Sequence, residues 1–264
     1  MEAANNSSSS YGSRLFSVIL IIIGLVGLYY LYRYLFGAKG TSSYTLIGKS
    51  IPANPAEGTK ISVNSDVLPA IYEGGEFTIS TWIYVNNWNY RAGYNKGIMS
   101  IGGTNLDTIR IYLGARRPQL MIRMDTFEKQ GSATIGVSLA AAGKNKVFTD
   151  LQTGSGRLDT PSTLCDLPEI ELQRWVNITV AVNGKTVDVY VDGKLSRSCV
   201  LPNLFKVDAG GYTAKLLEYG GFGGLLCTTT IYDMALNPDI VYKNYMAGPE
   251  PITSIGEWFS SFFG

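Results

Sequence analysis

The 264-residue chain contains no histidine, and it has only three cysteines and ten prolines. The absence of histidine removes the most frequent general base, the Ser-His and Cys-His nucleophile pairs, and the most frequent transition-metal ligand. Charged residues make up 16% of the chain, with 22 basic residues against 21 acidic ones. Such a balance offers no basic surface for nucleic acid. The composition argues against histidine-dependent enzymes and against nucleic-acid binding.

What the chain does have is one long apolar run near its start, LFSVILIIIGLVGLYYLYRYLF, which carries no charge for eighteen residues until Arg33. At about 1.5 Å per residue, a helix of this length approaches the ~30 Å of a bilayer's hydrocarbon core. The run is longer than the apolar part of a signal peptide and ends in tyrosines and an arginine, which suit the membrane interface. The alternatives are a signal peptide and a buried core helix. We predict a transmembrane helix over residues 14–36, anchored by Leu15, Ile19, Ile22, Leu25, Leu28, Tyr29, Tyr32 and Arg33.

The flanks of this segment bear on its orientation. Arg14 precedes it, whereas Arg33, Lys39 and Lys49 follow it. Because basic flanks favour the cytosolic side, we expect a single-pass protein whose C-terminal domain faces the cytosol. Polar residues 1–13 predict a disordered tail, and residues 37–59 a juxtamembrane connector with a short edge strand at 44–47.

Residues 60–248 show the alternation of short strands, divided by turn signals, that is typical of a β-sandwich. Phe77–Val85 alternates apolar and polar residues, and further strands are predicted at 97–101, 108–113 and 119–124. The stretch RWVNITVAVNGKTVDVYVDGKLSRSCV predicts a three-stranded meander, with Asn183-Gly184 as a type I′ hairpin turn. Lys129–Thr163 is the least regular part, and its length indicates an insertion or a long hairpin on one face of the sandwich. The predicted class is all-β, a two-sheet antiparallel sandwich.

The three cysteines fit no zinc or CxxC spacing. Cys165 precedes the first strand of the meander and Cys199 lies in its third strand, so a disulfide between them is geometrically possible. The alternative is three free thiols packed as small hydrophobic groups, and Cys227 is unpaired in both cases.

Together these segments resemble the concanavalin A-like lectin/glucanase superfamily and its laminin-G-like branch. The resemblance is carried by FTISTW, by RWVNITV with the following VYVDGK turn, and by the closing FGGLLCTTTIYDMAL, in this order. It implies a jelly roll of two packed sheets followed by a short helix in NPDIVYKNYMAGP. GGFGG before the last strand is interpreted as a bulge or a close strand approach, since it lacks the Lys-Ser/Thr of a phosphate loop.

The chain departs from the family where ligands and catalysis are concerned. Cys227 and Thr228 stand where many calcium-binding relatives carry acidic residues, and no ExDxxE-type strand provides paired carboxylates. Asp166, Glu169 and Glu171 flank Pro168 and are interpreted as solvated loop charges. We therefore expect no catalytic residue, no metal site and no cofactor. We also expect that the protein is not an enzyme.

An N-terminal anchor followed by this sandwich also resembles membrane-anchored jelly-roll proteins of large double-stranded DNA viruses. The resemblance implies a minor virion protein that links an internal membrane to the capsid shell, with its C-terminal domain facing the capsid and cytosolic during assembly. Its partners would be the lipid bilayer and capsid proteins.

The alternative function is a membrane-tethered lectin-like module. In that case Trp88 and Tyr90, in the loop NNWNYRAGYN, are the candidate glycan contacts, while Trp82 and Trp175 are expected in the core. The sequon at Asn177 leaves a glycan sterically possible, since its side chain should point away from the apolar face.

The C-terminal segment, residues 249–264, is amphipathic and aromatic. Its apolar residues recur at helical spacing, so it is interpreted as an interfacial helix, a peptide that docks on a partner, or a segment folded back on the sandwich. The candidate partner or membrane contacts are Trp258, Phe259, Phe262 and Phe263.

Overall fold

A computed structural model describes residues 8–36, 43–55, 61–64, 66–69, 71, 75–104, 106–127, 165–208 and 211–250. The chain divides into two compact units, residues 1–41 and residues 42–264. The predicted insertion at 129–163 and the four aromatic residues of the C-terminal segment lie outside the described residues.

The first unit contains one helix, α1 (Ser8–Phe36), whose side chains are described for residues 16–31. All sixteen of these residues are exposed, and none is charged. Over the part of the chain that is described, no helix combines the length and the apolar character needed to cross a membrane. The predicted transmembrane assignment therefore finds no support in this structure, and the side chains of Leu15, Tyr32 and Arg33 lie outside its description.

The second unit is a sandwich of twelve described strands followed by one helix. They are β1 (Ser43–Ile47), β2 (Ile51–Pro52), β3 (Ile61–Asn64), β4 (Glu76–Asn87), β5 (Lys96–Gly102), β6 (Asp107–Leu113), β7 (Leu120–Met124), β8 (Trp175–Asn183), β9 (Thr186–Val191), β10 (Lys194–Val200), β11 (Thr213–Leu216), β12 (Gly223–Tyr232) and α2 (Pro238–Met246).

The strands form two sheets, and the pairs within each sheet are antiparallel. The seven-stranded sheet runs β1-β12-β4-β8-β9-β10, with β2 also paired to β12. The five-stranded sheet runs β3-β11-β5-β6-β7. This arrangement confirms the predicted all-β, two-sheet antiparallel sandwich and is consistent with a jelly roll.

The core lies between the inner faces of the two sheets. In β4 the residues Phe77, Ile79, Ile83 and Val85 all join it, as the period-2 alternation of a strand predicts. Thr81 lies on the same face and is fully buried, and its hydroxyl pairs with that of Thr229 at 2.8 Å. The pair lets two polar side chains occupy the core without leaving a hydroxyl unsatisfied.

The opposite face of the seven-stranded sheet is also buried, which strand alternation alone does not predict. Helix α2 packs there, and the ring of Tyr245 stacks on Trp82 with a centroid distance of 5.6 Å and an interplanar angle of 16°. Leu236 and Val241 form a small second cluster with Ala181 and Tyr190 of the sheet. Trp82 is thus buried, but under α2 and not between the sheets.

Two turns shape the meander, and one differs from the prediction. Asn183 pairs with Thr186, so the turn residues are Gly184 and Lys185. Of the two only Gly184 has a positive φ, which is the type II′ pattern and not the predicted type I′. In the second turn Asp192 and Gly193 both have positive φ, at 51° and 72°, as a type I′ turn requires.

The short edge strand predicted at 44–47 is present as β1, at the end of the seven-stranded sheet. Both β1 and β2 lie in the predicted connector and pair with β12, so this part of the connector belongs to the sandwich. The predicted bulge in GGFGG is confirmed, since the register shifts between Gly223 and Gly224 and a Cβ on Gly224 would collide with the carbonyl oxygen of Tyr84.

Candidate functional site

A cleft with a volume of about 280 Å³ opens at the end of the seven-stranded sheet where β8, β9 and β10 meet the segment that precedes β8. Its apolar floor and polar rim are formed by Leu167, Pro168, Glu169, Ile170, Glu171, Val176, Val191, Asp192 and Ser196. The floor comes from β8, β9 and the buried leucine and isoleucine of the preceding segment, whereas the rim comes from exposed loop and strand residues.

The two walls of this cleft are fixed to different sheets and to each other. Leu167 exchanges two backbone hydrogen bonds with Leu120 of β7, at 2.9 and 3.2 Å, so its segment is attached to the five-stranded sheet. The structure also contains a disulfide between Cys165 of this segment and Cys199 of β10, with 5.6 Å between the Cα atoms. The covalent link therefore joins the loop wall to the strand wall.

The rim of the cleft carries three carboxylates and a neighbouring guanidinium. Arg174 forms an ion pair with Glu171 at 2.8 Å and a second one with Asp192. The other carboxylate oxygen of Asp192 accepts a hydrogen bond from the backbone N–H of Asn177 at 2.9 Å. Glu169 is exposed and makes no ion pair with another described residue. The rim is therefore acidic, because it has three carboxylates and Arg174 pairs with only two of them.

The interpretation of Asp166 as a solvated loop charge is wrong. Its side chain is buried, accepts a hydrogen bond from the backbone N–H of Ile122 at 3.1 Å, and pairs with Arg123 at 2.5 Å. Because Cys165 and Leu167 hold its neighbours against the sandwich, the carboxylate is placed beside β7 and not in solvent. Glu169 and Glu171 are exposed, as predicted.

The outer face of the five-stranded sheet holds further charges that the sequence did not reveal. Arg110 is fully buried and forms an ion pair with Asp107, with a hydrogen bond from its Nε at 2.7 Å. Nearby, Ser100 donates to Glu218 at 2.5 Å. Burial, followed by the charge of Glu218, raises the pKa of Tyr219 to about 12. Alternation in β6 predicts that Arg110 points away from the core, but nothing local in the sequence indicates that this face is covered.

The predicted glycan contact Trp88 lies in a loop, and its ring already contacts other residues of this chain. Trp88 is half-buried and packs against the core, and the Nζ of Lys96 lies 4.2 Å from the centre of its ring. The same ammonium donates to the carbonyl oxygens of Arg91 and Tyr94, each at 3.4 Å. Burial, and secondly the charge of Arg91, lowers the pKa of Lys96 to about 8. Tyr90 is half-buried, and its glycan role stays a prediction, as does that of Trp88.

The expectation that Asn177 can carry a glycan is wrong on steric grounds. Asn177 is fully buried on the outer face of β8, where its amide oxygen accepts a hydrogen bond from Thr179 at 3.1 Å. The side chain does point away from the apolar core, as alternation predicts. It is nevertheless inaccessible to solvent, and its amide nitrogen lies 3.5 Å from the hydroxyl of Ser80 on the neighbouring strand β4.

The remaining predicted features involve Cys227 and the start of the C-terminal segment. Cys227 is a free, buried thiol that donates to the carbonyl oxygen of Pro249 at 2.9 Å, and burial raises its pKa. Glu250 accepts a hydrogen bond from the backbone N–H of Ser50 at 3.0 Å. Residues 249–250 thus contact the sandwich. Among the described ranges, no group of three or more Cys, Asp or Glu side chains is placed to hold a metal ion.

Comparison with known proteins places this geometry in a family. The chain matches none of the curated proteins. Solved structures similar in fold include the botulinum neurotoxin serotype D binding domain (11% identity, 81% of this chain and 48% of that one, TM-score 0.49), and the serotype D ligand-binding domain in complex with N-acetylneuraminic acid (13%, 81% and 47%, 0.48). The binding domain of neurotoxin DC in complex with rat synaptotagmin II is a third (13%, 80% and 48%, 0.41).

The chain spans about half the length of these structures, and the likeness is too distant to bear on ligands or partners. The family model, in contrast, covers residues 56–241, which is most of the sandwich. The two packed sheets, the meander and the terminal helix agree with that assignment. The chain belongs to the concanavalin A-like lectin/glucanases superfamily.

Proposed function

We propose that this protein is a non-enzymatic interaction protein, held at a membrane by α1 and binding other proteins through its β-sandwich. The observation that carries the proposal is the helix itself. From Phe16 to Leu31 its described side chains are all exposed and uncharged, and its sequence stays uncharged from Leu15 to Tyr32. A helix that is apolar on every side is stable when lipid or a large protein core surrounds it. Residues 1–41 include no other described element that forms such a core.

The non-enzymatic part of the proposal is supported by how the buried ionisable side chains are used. Asp166 and Asp107 are both buried and held in ion pairs with arginines, so each carboxylate already has a structural partner. Lys96, the described lysine with a strongly lowered pKa, is fully buried behind Trp88 and therefore out of reach of a substrate. The contacts of these three side chains with other parts of the sandwich support a structural role for them.

The partners we propose are structural proteins of a virion, with the anchor in an internal membrane and the sandwich facing the capsid. The support is the sequence resemblance to membrane-anchored jelly-roll proteins of large double-stranded DNA viruses. The architecture of one apolar helix followed by one sandwich suits a link between a bilayer and a protein shell.

The test is cross-linking mass spectrometry on the purified native assembly with an amine-reactive reagent. The proposal predicts links from lysines of the sandwich, such as Lys194 and Lys206, to a second protein species. Links confined to this chain in an intact assembly contradict it, as does hydrolysis of a sugar polymer by the purified protein.

A carbohydrate partner is the second candidate, favoured by the aromatic loop between β4 and β5. Tyr94 in this loop is 45% exposed and Tyr90 is half-buried beside it. Aromatic rings of this kind offer an apolar face with a polar tip. Glycan-array binding by the full chain that disappears in Trp88→Ala, but persists in a variant with an exposed aromatic changed elsewhere, such as Tyr242→Ala, would establish this function.

A further inference from the structure

We propose that the cleft at the end of the seven-stranded sheet binds a lysine or arginine side chain carried by an extended segment of a protein partner. The inference rests on the proposed protein-binding function and adds the chemistry of the partner and the place where it binds.

The size and lining of the cleft favour a single side chain. Its volume of about 280 Å³ is at the lower end of the ~300–1,000 Å³ of ligand pockets. The lining contains no aromatic residue, so it lacks the ring face on which a sugar would stack. The floor is aliphatic, formed by Leu167, Ile170, Val176 and Val191. Such a floor suits the methylene stem of a long side chain, since lysine and arginine bury their stems on apolar surface and keep the charged end near water.

The rim has the charge that complements such a side chain. Glu169 and Glu171 stand at the mouth, and both are exposed. Arg174 is shared between Glu171 and Asp192, which leaves Glu169 as the rim carboxylate without an ion pair among the described residues. An ammonium or guanidinium group above the aliphatic floor would meet this carboxylate first. A carboxylate side chain in the same position would be repelled.

The strand that forms one wall explains why the partner segment is extended. Among the described strands, β10 lies at the end of the sheet order and pairs with β9 on one side. Its residues 194–198 are exposed, and so is Val200, at 63%. An exposed edge strand presents backbone groups to an incoming strand, while pockets beside it select alternate side chains. Ser196 of β10 lines the cleft, so a strand added along this edge brings one of its side chains to the cleft mouth.

The disulfide fixes the two walls of the cleft relative to each other. It joins Cys165, next to the apolar floor, to Cys199, three residues from Ser196 on the other wall. The cleft is therefore held open before a partner arrives, which lowers the entropic cost of binding.

Fluorescence anisotropy with the full chain in detergent micelles tests the proposal. The probe is a fluorescein-labelled heptapeptide, TVTKTVT, compared with TVTETVT and with the same peptide carrying norleucine at the centre. The lysine peptide is expected to bind more tightly than the norleucine peptide, and the glutamate peptide not to bind. Glu169→Gln should weaken the lysine peptide about two- to fivefold, as for an exposed ion pair, without changing the norleucine peptide.

Two matched pairs of variants separate this site from the rest of the surface. Ser196→Trp places an indole at the cleft mouth and should abolish binding, whereas Ser198→Trp, on the same exposed strand but outside the lining, should not. Asp239→Asn removes an exposed carboxylate on α2 and should leave the affinity unchanged. Equal binding of the three peptides, no binding of TVTKTVT at millimolar concentration, or full binding by Ser196→Trp overturns the proposal.

Failure here is distinguishable from failure of the proposed function. If the native assembly shows cross-links from the sandwich to a second protein while TVTKTVT does not bind, protein binding stands and this cleft is not its site.

Discussion

The outer faces of the two sheets are both buried over their central strands, but the buried groups are neutral on one sheet and charged on the other. On the seven-stranded sheet, neutral groups form a hydrogen-bonded ladder in which Ser80 pairs with Thr179 at 2.9 Å and Thr179 donates to Asn177 at 3.1 Å. On the five-stranded sheet, the corresponding face carries Arg110 and Arg123, each in a buried ion pair with an aspartate. One sandwich thus covers two equivalent surfaces in two different ways.

The difference determines how each face responds to mutation. Neutral hydroxyl and amide pairs contribute about 1 kcal/mol each, and losing one partner leaves the other unsatisfied at a cost of about 1–3 kcal/mol. A buried ion pair contributes little net free energy, yet removal of one partner leaves an uncompensated buried charge and costs about 3–5 kcal/mol. We therefore expect the five-stranded sheet to be the more fragile face.

The largest expected effect is that of Arg110→Met, which removes the guanidinium that pairs with the buried carboxylate of Asp107. The free energy of unfolding should fall by about 3–5 kcal/mol in urea denaturation. The double variant Arg110→Met/Asp107→Leu should recover most of this loss. Lys215→Met, on the same face but half-exposed, is the control, with an expected cost below about 1 kcal/mol. A cost for Arg110→Met as small as that of the control contradicts the comparison.

The disulfide comes next, since it joins the edge of the seven-stranded sheet to a segment paired with the five-stranded sheet. Cys165→Ser/Cys199→Ser opens a crosslink across a sequence separation of 34 residues and should cost roughly 3–4 kcal/mol by the chain-entropy relation. A thiol titration of the denatured, unreduced protein should find one free thiol, Cys227. Three free thiols in that titration would show that the two sheets lack this covalent link.

The stacked pair Trp82 and Tyr245 tests the seven-stranded sheet, whose outer face is covered by neutral groups. A double-mutant cycle with Trp82→Leu and Tyr245→Leu should give a coupling free energy of about 0.5–1.5 kcal/mol, because the rings stack at 5.6 Å. A coupling near zero would mean that α2 covers this face without a specific ring contact.

The smallest effect is a pH dependence that arises from Lys96 of the five-stranded sheet. Its pKa is lowered to about 8 in the folded protein, so the unfolded chain binds the proton more tightly and stability rises with pH above 8. We expect a gain of about 1 kcal/mol in the free energy of unfolding between pH 8 and 9, absent in Lys96→Met. Tyrosines with raised pKa values, such as Tyr219 at about 12, act in the opposite direction only above about pH 10. An identical slope in wild type and variant between pH 8 and 9 contradicts the assignment.

Local signals in the sequence predicted much of the sandwich. The alternation in Phe77–Val85 and the turn at Asp192-Gly193 encode strand faces and hairpins within a few residues, and both appear in the structure. The terminal helix, which the family resemblance implies, is present from Pro238 to Met246.

What the sequence could not predict depends on contacts between distant parts of the chain. A strand at 44–47 is predicted, but its pairing with β12 is not, because β12 lies some 180 residues further along the chain. Asn177 and Asp166 were expected at the surface because alternation and loop position do not show what packs over them. The cleft cannot be predicted from any short stretch of sequence for the same reason, since the fold and the disulfide bring its walls together from separate segments.

The central claim, that the apolar helix fixes an interaction domain to lipid, is tested most directly by liposome flotation. The full chain should float with vesicles and remain with them after alkaline carbonate extraction, whereas residues 42–264, the second compact unit, should stay at the bottom of the gradient. Recovery of the full chain at the bottom, free of vesicles, would contradict the account.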